Sequence, residues 1–194
     1  MKKMILLLAT AIGGLTANAQ KGAFIVESGI TIPNYTQTVL TNLDYTISSA
    51  SAAKQLTIGY FISDKISLSA GFNVSNASTD AIDVNDYLGN YQYSYSFDVT
   101  RLSILLHVNY NYLANDKWNL SSGLGIGTAI ATVQTTVTPS TYTSPEITGA
   151  GGLALHLTAI DAKYYFNNWF GLHGKLGYGS EGVLGLGATF RFNN

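Results

Sequence analysis

The sequence predicts an all-β chain: an eight-stranded antiparallel up-and-down transmembrane β-barrel with short periplasmic turns and long extracellular loops. Three observations lead there. Apolar residues recur with period two from Gly22 to the end, and no helical period of about 3.6 residues is sustained. The face opposite the apolar one carries Gly, Ser, Thr and Asn instead of the charges that a water-facing sheet displays. The chain is also apolar yet almost uncharged. Of its 194 residues 46% are hydrophobic and 11% charged, against a usual charged share of about 25%, and its mean hydropathy is +0.16. No run of about 18 apolar residues is present to cross a bilayer as a helix.

Composition excludes other classes. With no cysteine there is no disulfide framework and no thiolate metal site. A formal net charge of −1 gives no basic footprint for nucleic acid. Residues 1–19 have the three parts of a cleavable secretory signal peptide: the basic pair Lys2 and Lys3, the apolar run Met4 to Leu15, and the small-x-small site Ala17-Asn18-Ala19. Cleavage before Gln20 leaves residues 20–194 as one exported barrel domain.

The strands are read in order. The first spans 22–32, the second 52–62, and the third 66–76, where Ile66, Leu68, Ala70, Phe72 and Val74 alternate with Ser67, Ser69, Gly71 and Asn73. The fourth, 92–112, changes parity near Thr100 and Arg101: Tyr91, Tyr93, Tyr95, Phe97 and Val99 are odd, whereas the apolar residues from Leu102 to Tyr112 are even. A bulge at that point would account for the switch, because one extra residue flips the alternation. The fifth, 118–131, alternates Leu124, Ile126 and Ile130 with Gly123, Gly125 and Gly127. The sixth, 150–166, is the least regular, since Leu153, Leu155 and Leu157 share their parity with Asp161 and Lys163. The seventh and eighth are 169–178 and 182–192.

Connections alternate in length. Residues 63–65, 113–117 and 167–168 are short, whereas 33–51, 77–91 and 132–149 are long and polar and hold or border Pro33, Pro139 and Pro145. Keeping proline out of strands protects the hydrogen-bond ladder. The last connection, Gly179 to Glu181, is short.

A small polar face suits a narrow lumen filled by side chains, and an apolar face suits lipid, where every backbone group must be paired and a sheet must close. Aromatic placement agrees. Tyr60, Tyr110, Tyr112, Trp118, Tyr164, Phe166, Trp169, Phe170, Phe190 and Phe192 gather at the short-turn end as an interfacial girdle, and Tyr91, Tyr93, Tyr95 and Tyr178 lie at the other.

On these residues the chain resembles the small outer-membrane β-barrel family, the class of outer membrane protein X and of the membrane domain of outer membrane protein A. The ending Gly185-Leu186-Gly187-Ala188-Thr189-Phe190-Arg191-Phe192 is similar to the family's C-terminal strand, followed here by Asn193 and Asn194. The resemblance implies the outer membrane of a Gram-negative cell, lipid as surroundings, and recognition of that strand by the barrel-assembly machinery.

With the apolar face outward, Glu27, Arg101, His107, Asp161, Lys163, His173, Lys175 and Arg191 point inward, as a structural lumenal polar network in which each buried charge needs a partner. Setting Phe166 against Phe170 places Asp161 opposite Lys175 and Lys163 opposite His173; setting Tyr112 against Trp118 places His107 opposite Gly123. Other readings of polar residues are weaker. His156-Leu157-Thr158 is the nearest thing to a nucleophilic pair, and no enzyme is expected from it. Asp80, Asp83 and Asp86 lack the spacing of a calcium loop. The glycine runs lie inside strands, not before a helix, so no cofactor or phosphate site is expected.

The reading is therefore an integral outer-membrane barrel with a structural or surface-interaction role, its long loops outside and a lumen too full for general porin activity. A soluble lipocalin-like barrel binding an apolar ligand is the alternative, and a lipid-modifying outer-membrane enzyme a third reading. The partner of the extracellular loops is not legible.

Overall fold

The computed structural model describes residues 21–85, 92–138, 147–149 and 151–192. The expected signal peptide, Asp86, Tyr91, Pro139 and Pro145 lie outside the described residues. The elements are β1 (Phe24–Ile32), α1 (Tyr35–Asn42), β2 (Ile47–Ala50), β3 (Ala53–Phe61), β4 (Ile66–Thr79), β5 (Ile82–Asn85), β6 (Gln92–Ala114), β7 (Trp118–Thr138), β8 (Ile147–Thr148), β9 (Gly152–Tyr165), β10 (Phe170–Gly179) and β11 (Leu184–Phe192).

Eight of these strands close a barrel. Each of β1, β3, β4, β6, β7, β9, β10 and β11 pairs antiparallel with the next, and β11 returns to β1 from Phe24↔Phe192 to Ile32↔Leu184. Closure leaves the wall without a raw edge, the condition lipid imposes. The short strands β2, β5 and β8 pair with the extended upper ends of β4, β6 and β7 at the long-loop end.

Two irregularities in the sequence find different explanations. Across Thr100 and Arg101 the pairing with β7 runs unbroken, Val99↔Val133, Thr100↔Thr132, Arg101↔Ala131, so the expected bulge is not there. Tyr95, Phe97 and Val99 stay on the lumenal side of β6, but above the barrel, where they cover loop structure: the Phe97 and Tyr45 rings meet edge-on at 5.9 Å. The change of surroundings above the barrel, not a slip of register, exchanges the two faces. The turn between β6 and β7 pairs Ala114 with Asn119 and Asn115 with Trp118 instead of Tyr112 with Trp118, and even after the register shift between Asn111 and Leu113 takes back one residue, His107 lies opposite Gly125 and not the expected Gly123. The Gly125 position accommodates the ring, since an added Cβ would lie 2.6 Å from His107 Cε1.

The sixth strand of the sequence, β9, does carry a bulge. Thr158 pairs with Gly177 and Ile160 with Leu176, so Ala159 is the extra residue and the parity flips there. Leu153, Leu155 and Leu157 thus face outward while His156, Thr158, Asp161 and Lys163 are buried inside. On the outer surface Ser122 Oγ donates 2.6 Å to the Ala159 carbonyl.

The stretch expected as a loop after β1 folds. Asn34 caps α1 by accepting from the Gln37 amide at 2.7 Å, and its own amide donates to Ser51 O and Asn76 O. An asparagine cap satisfies a helix donor that would otherwise lack a partner. Thr36 Oγ1 meets Ser75 Oγ at 2.8 Å, which docks the helix against β4 in the long-loop mouth.

Candidate functional site

The charged residues face the lumen, and the apolar ones face out. Outside, Leu106 and Leu124 are each 65% exposed and Leu153 74%. Inside, Glu27, Arg101, His107, Asp161, Lys163, His173, Lys175 and Arg191 are all buried, as the parity of their strands requires. A barrel that held an apolar ligand would show the reverse, so the lipocalin-like alternative does not fit. Among the described residues no helix is long and apolar enough to cross a membrane; the apolar surface belongs to the strands.

The inner charges form two clusters. In the first, Lys163 Nζ sits between Glu27 Oε1 at 3.0 Å and Asp161 Oδ2 at 2.5 Å, with His173 Nδ1 3.9 Å from the other Asp161 oxygen. The expected register is correct: Asp161 pairs with Lys175, and Lys163 with His173. The ion pairs, however, do not follow that register. Lys163 turns along its own strand to Asp161, and Lys175 reaches upward.

What Lys175 reaches is Glu181, which the sequence reading left in a short turn. Glu181 is 1% exposed. One carboxylate oxygen lies 2.9 Å from His107 Nε2; the other lies 3.5 Å from Lys175 Nζ and 3.6 Å from His156 Nε2. Its amide donates to His156 Nδ1 at 3.4 Å. A turn ordinarily points away from a barrel. Here Gly179 and Gly182 take φ of +123° and +104°, the left-handed region glycine tolerates, and they fold the Ser180-Glu181 step into the mouth. A lone acid flanked by glycines, following a strand with an inward lysine, was the available sequence clue.

Each end of the lumen is closed by an arginine stacked on a tyrosine. At the long-loop end Arg101 donates to Ser180 O and Oγ and lies over the Tyr35 ring at 4.4 Å. At the short-turn end Arg191 donates to the carbonyls of Asn115, Asp116 and Asn168 and lies over Tyr165 at 4.1 Å. Ala23, Ile25 and Phe61 pack as an apolar floor beside it. Between these ends a cavity of about 10 Å³ touches Glu27, His107, Asp161, Lys163 and Lys175, room for about one water molecule.

The aromatic residues of the short-turn end gather on the outer surface. Trp118 meets Tyr164 at 4.8 Å, Tyr164 meets Phe166, Phe166 meets Phe170, and Trp169 stacks on Phe190 at 6.1 Å. Tyr60 pairs with Phe24; Tyr110 and Phe192 are exposed in the same band, and Tyr112 is half-buried. Of the remaining polar candidates, His156 and Thr158 are buried together, and His156 is engaged with Glu181. Asp80 and Asp83 are exposed on the long-loop rim.

No protein-family model matches the chain. No curated protein matches it either. Among solved structures it is similar to the outer membrane protein OprG of Pseudomonas aeruginosa, with 14% identity, 90% of this chain and 97% of that one covered, and a TM-score of 0.53. The N-terminal β-barrel domain of OprF from the same organism matches at 16% identity over 90% of this chain and 100% of that one, TM-score 0.49. Ail, the attachment invasion locus protein of Yersinia pestis, matches at 13% identity over 89% and 100%, TM-score 0.46. The likeness to OprG is one of fold: the chain is a closed eight-stranded antiparallel β-barrel.

Proposed function

We propose that the protein is an integral outer-membrane barrel of a Gram-negative cell, a closed scaffold that presents its long-loop end outside for surface interaction. One observation carries this reading: fully paired strands bury most of their charges inside and expose a largely apolar surface outside, an arrangement suited to hydrocarbon. The short-turn girdle supports a bilayer interface there. Lipid is then its immediate partner, and β11, ending at Phe192, supplies the strand read by the barrel-assembly machinery. Residues 1–19 serve for export and are removed. No reaction enters this proposal.

The test is cell fractionation followed by electrophoresis with and without boiling. A heat-dependent mobility shift in the outer-membrane fraction is expected. Recovery as a soluble periplasmic protein would overturn the reading.

A further inference from the structure

At the long-loop end, one part of the surface is apolar and exposed among the described residues. The outer faces of β6 and β7 have already turned polar at this height, with Asp98 and Thr100 beside Thr132 and Gln134. Yet Leu43, which ends α1, is 62% exposed, and Ile82 at the start of β5 is 37% exposed. Neither has lipid to face. Together with Tyr45 and Ala81 they line a pocket of about 350 Å³. Its shape is fixed from below and from the side. The Tyr45 ring rests against Phe97, and the Asp80 amide donates 2.9 Å to Thr46 O, tying the segment after α1 to the segment after β4.

Asp44 and Asp80 belong to the same lining, and Asp83 stands exposed one step further along β5. Asp83 and Asp98 each hold a serine hydroxyl, from Ser94 and Ser78, so this rim is fixed in place. Exposed cations are nearly missing at this end. Among the described residues Lys21, Lys65 and Lys117 sit at the short-turn end and Arg101 is buried; only Lys54, low on the outer face of β3, shares the end with the acids. A pocket lined by Leu43, Tyr45, Ala81 and Ile82 together with Asp44 and Asp80 rejects an acidic partner and steers a basic one that carries an apolar side chain.

We propose that this pocket docks a polypeptide segment from a partner protein in which an apolar side chain is flanked by lysine or arginine. The apolar side chain fills the space between Leu43 and Ile82, and the basic neighbours meet Asp44 and Asp80. The inference rests on the membrane-barrel reading only in that the long-loop end faces outward.

The experiment uses the full-length protein in zwitterionic micelles and two synthetic peptides, one with leucine between lysines and one with the lysines replaced by glutamate. Binding is read by calorimetry and by the side-chain methyl signals of Leu43, Ala81 and Ile82. The lysine peptide is expected to bind, more weakly as salt rises, and to shift those methyls; the glutamate peptide is expected not to bind. Asp44→Asn with Asp80→Asn should weaken binding at least tenfold, and Leu43→Ser or Ile82→Ser alone should do the same. The heat-dependent mobility shift confirms that each variant is folded. Equal affinity in wild type and variants, lysine-peptide binding that leaves the methyls unmoved, or uptake of Ca²⁺ with no peptide binding would each overturn the proposal. A protein that keeps its heat shift and outer-membrane location while failing here leaves the barrel reading intact.

Discussion

Glu181 Oε1 lies 2.9 Å from His107 Nε2, so a residue of the β10–β11 turn touches the β6 wall across the lumen. The contact makes the turn an internal part. It supplies the one carboxylate of the upper cluster, to which Lys175 is also drawn.

Removing that charge should therefore be costly. Glu181→Gln takes from buried Lys175 its ion-pair partner beside two histidines, and losing one partner of a buried ion pair costs about 3–5 kcal/mol. Urea unfolding of the protein in micelles or vesicles measures this. Wild-type stability would mean the cluster contributes nothing to the folded state.

Gly125 and Gly174 form a matched pair of probes. A Cβ at Gly125 would approach His107 Cε1 to 2.6 Å, whereas at Gly174 it would meet only Leu186 Cδ2 at 3.6 Å. Gly125→Ser should destabilise by about 1–3 kcal/mol, as overpacking does. Gly174→Ala, on the outer face, should stay within about 0.5 kcal/mol. Equal tolerance would contradict the facing of β7 and β10.

Lipid contact is tested by arginine. Leu124→Arg should cost on the order of 2–4 kcal/mol in a bilayer, because the position is at mid-membrane. Thr136→Arg, on the same face of β7 but above the hydrocarbon, should cost almost nothing, within about 0.5 kcal/mol. Similar penalties at both sites would place the membrane boundary elsewhere.

Arg101 joins the β10–β11 turn to the residue that opens α1. Arg101→Ala should loosen both at once. Hydrogen exchange of the Ser180 and Glu181 amides and of α1 should accelerate together by about tenfold, which corresponds to about 1.4 kcal/mol of lost local stability. Faster exchange in the turn alone would show that Tyr35 is held by other contacts.

Strand count, closure and facing were legible because a barrel in lipid writes them into every second residue. Register was legible where a turn was short and regular, as for Asp161 and Lys175. It slipped for His107, because the turn after β6 pairs Asn115 with Trp118 and not Tyr112, a setting that alternation does not fix. The parity switch at Arg101 was visible but misattributed, since a change of surroundings and a bulge leave the same trace. Glu181 was missed because alternation says nothing about a turn folding inward, and α1 because eight threonine-rich residues carry no strong helical period.

The seam between β1 and β11 has a consequence for how the molecule comes apart. Each strand is held on both sides, so none can peel away without stripping two ladders and baring two rows of amides to hydrocarbon. No subset of strands makes a smaller closed barrel with the same inner charges paired. Loss of the structure should therefore be a single cooperative event, with the rim elements α1, β2, β5 and β8 free to melt beforehand.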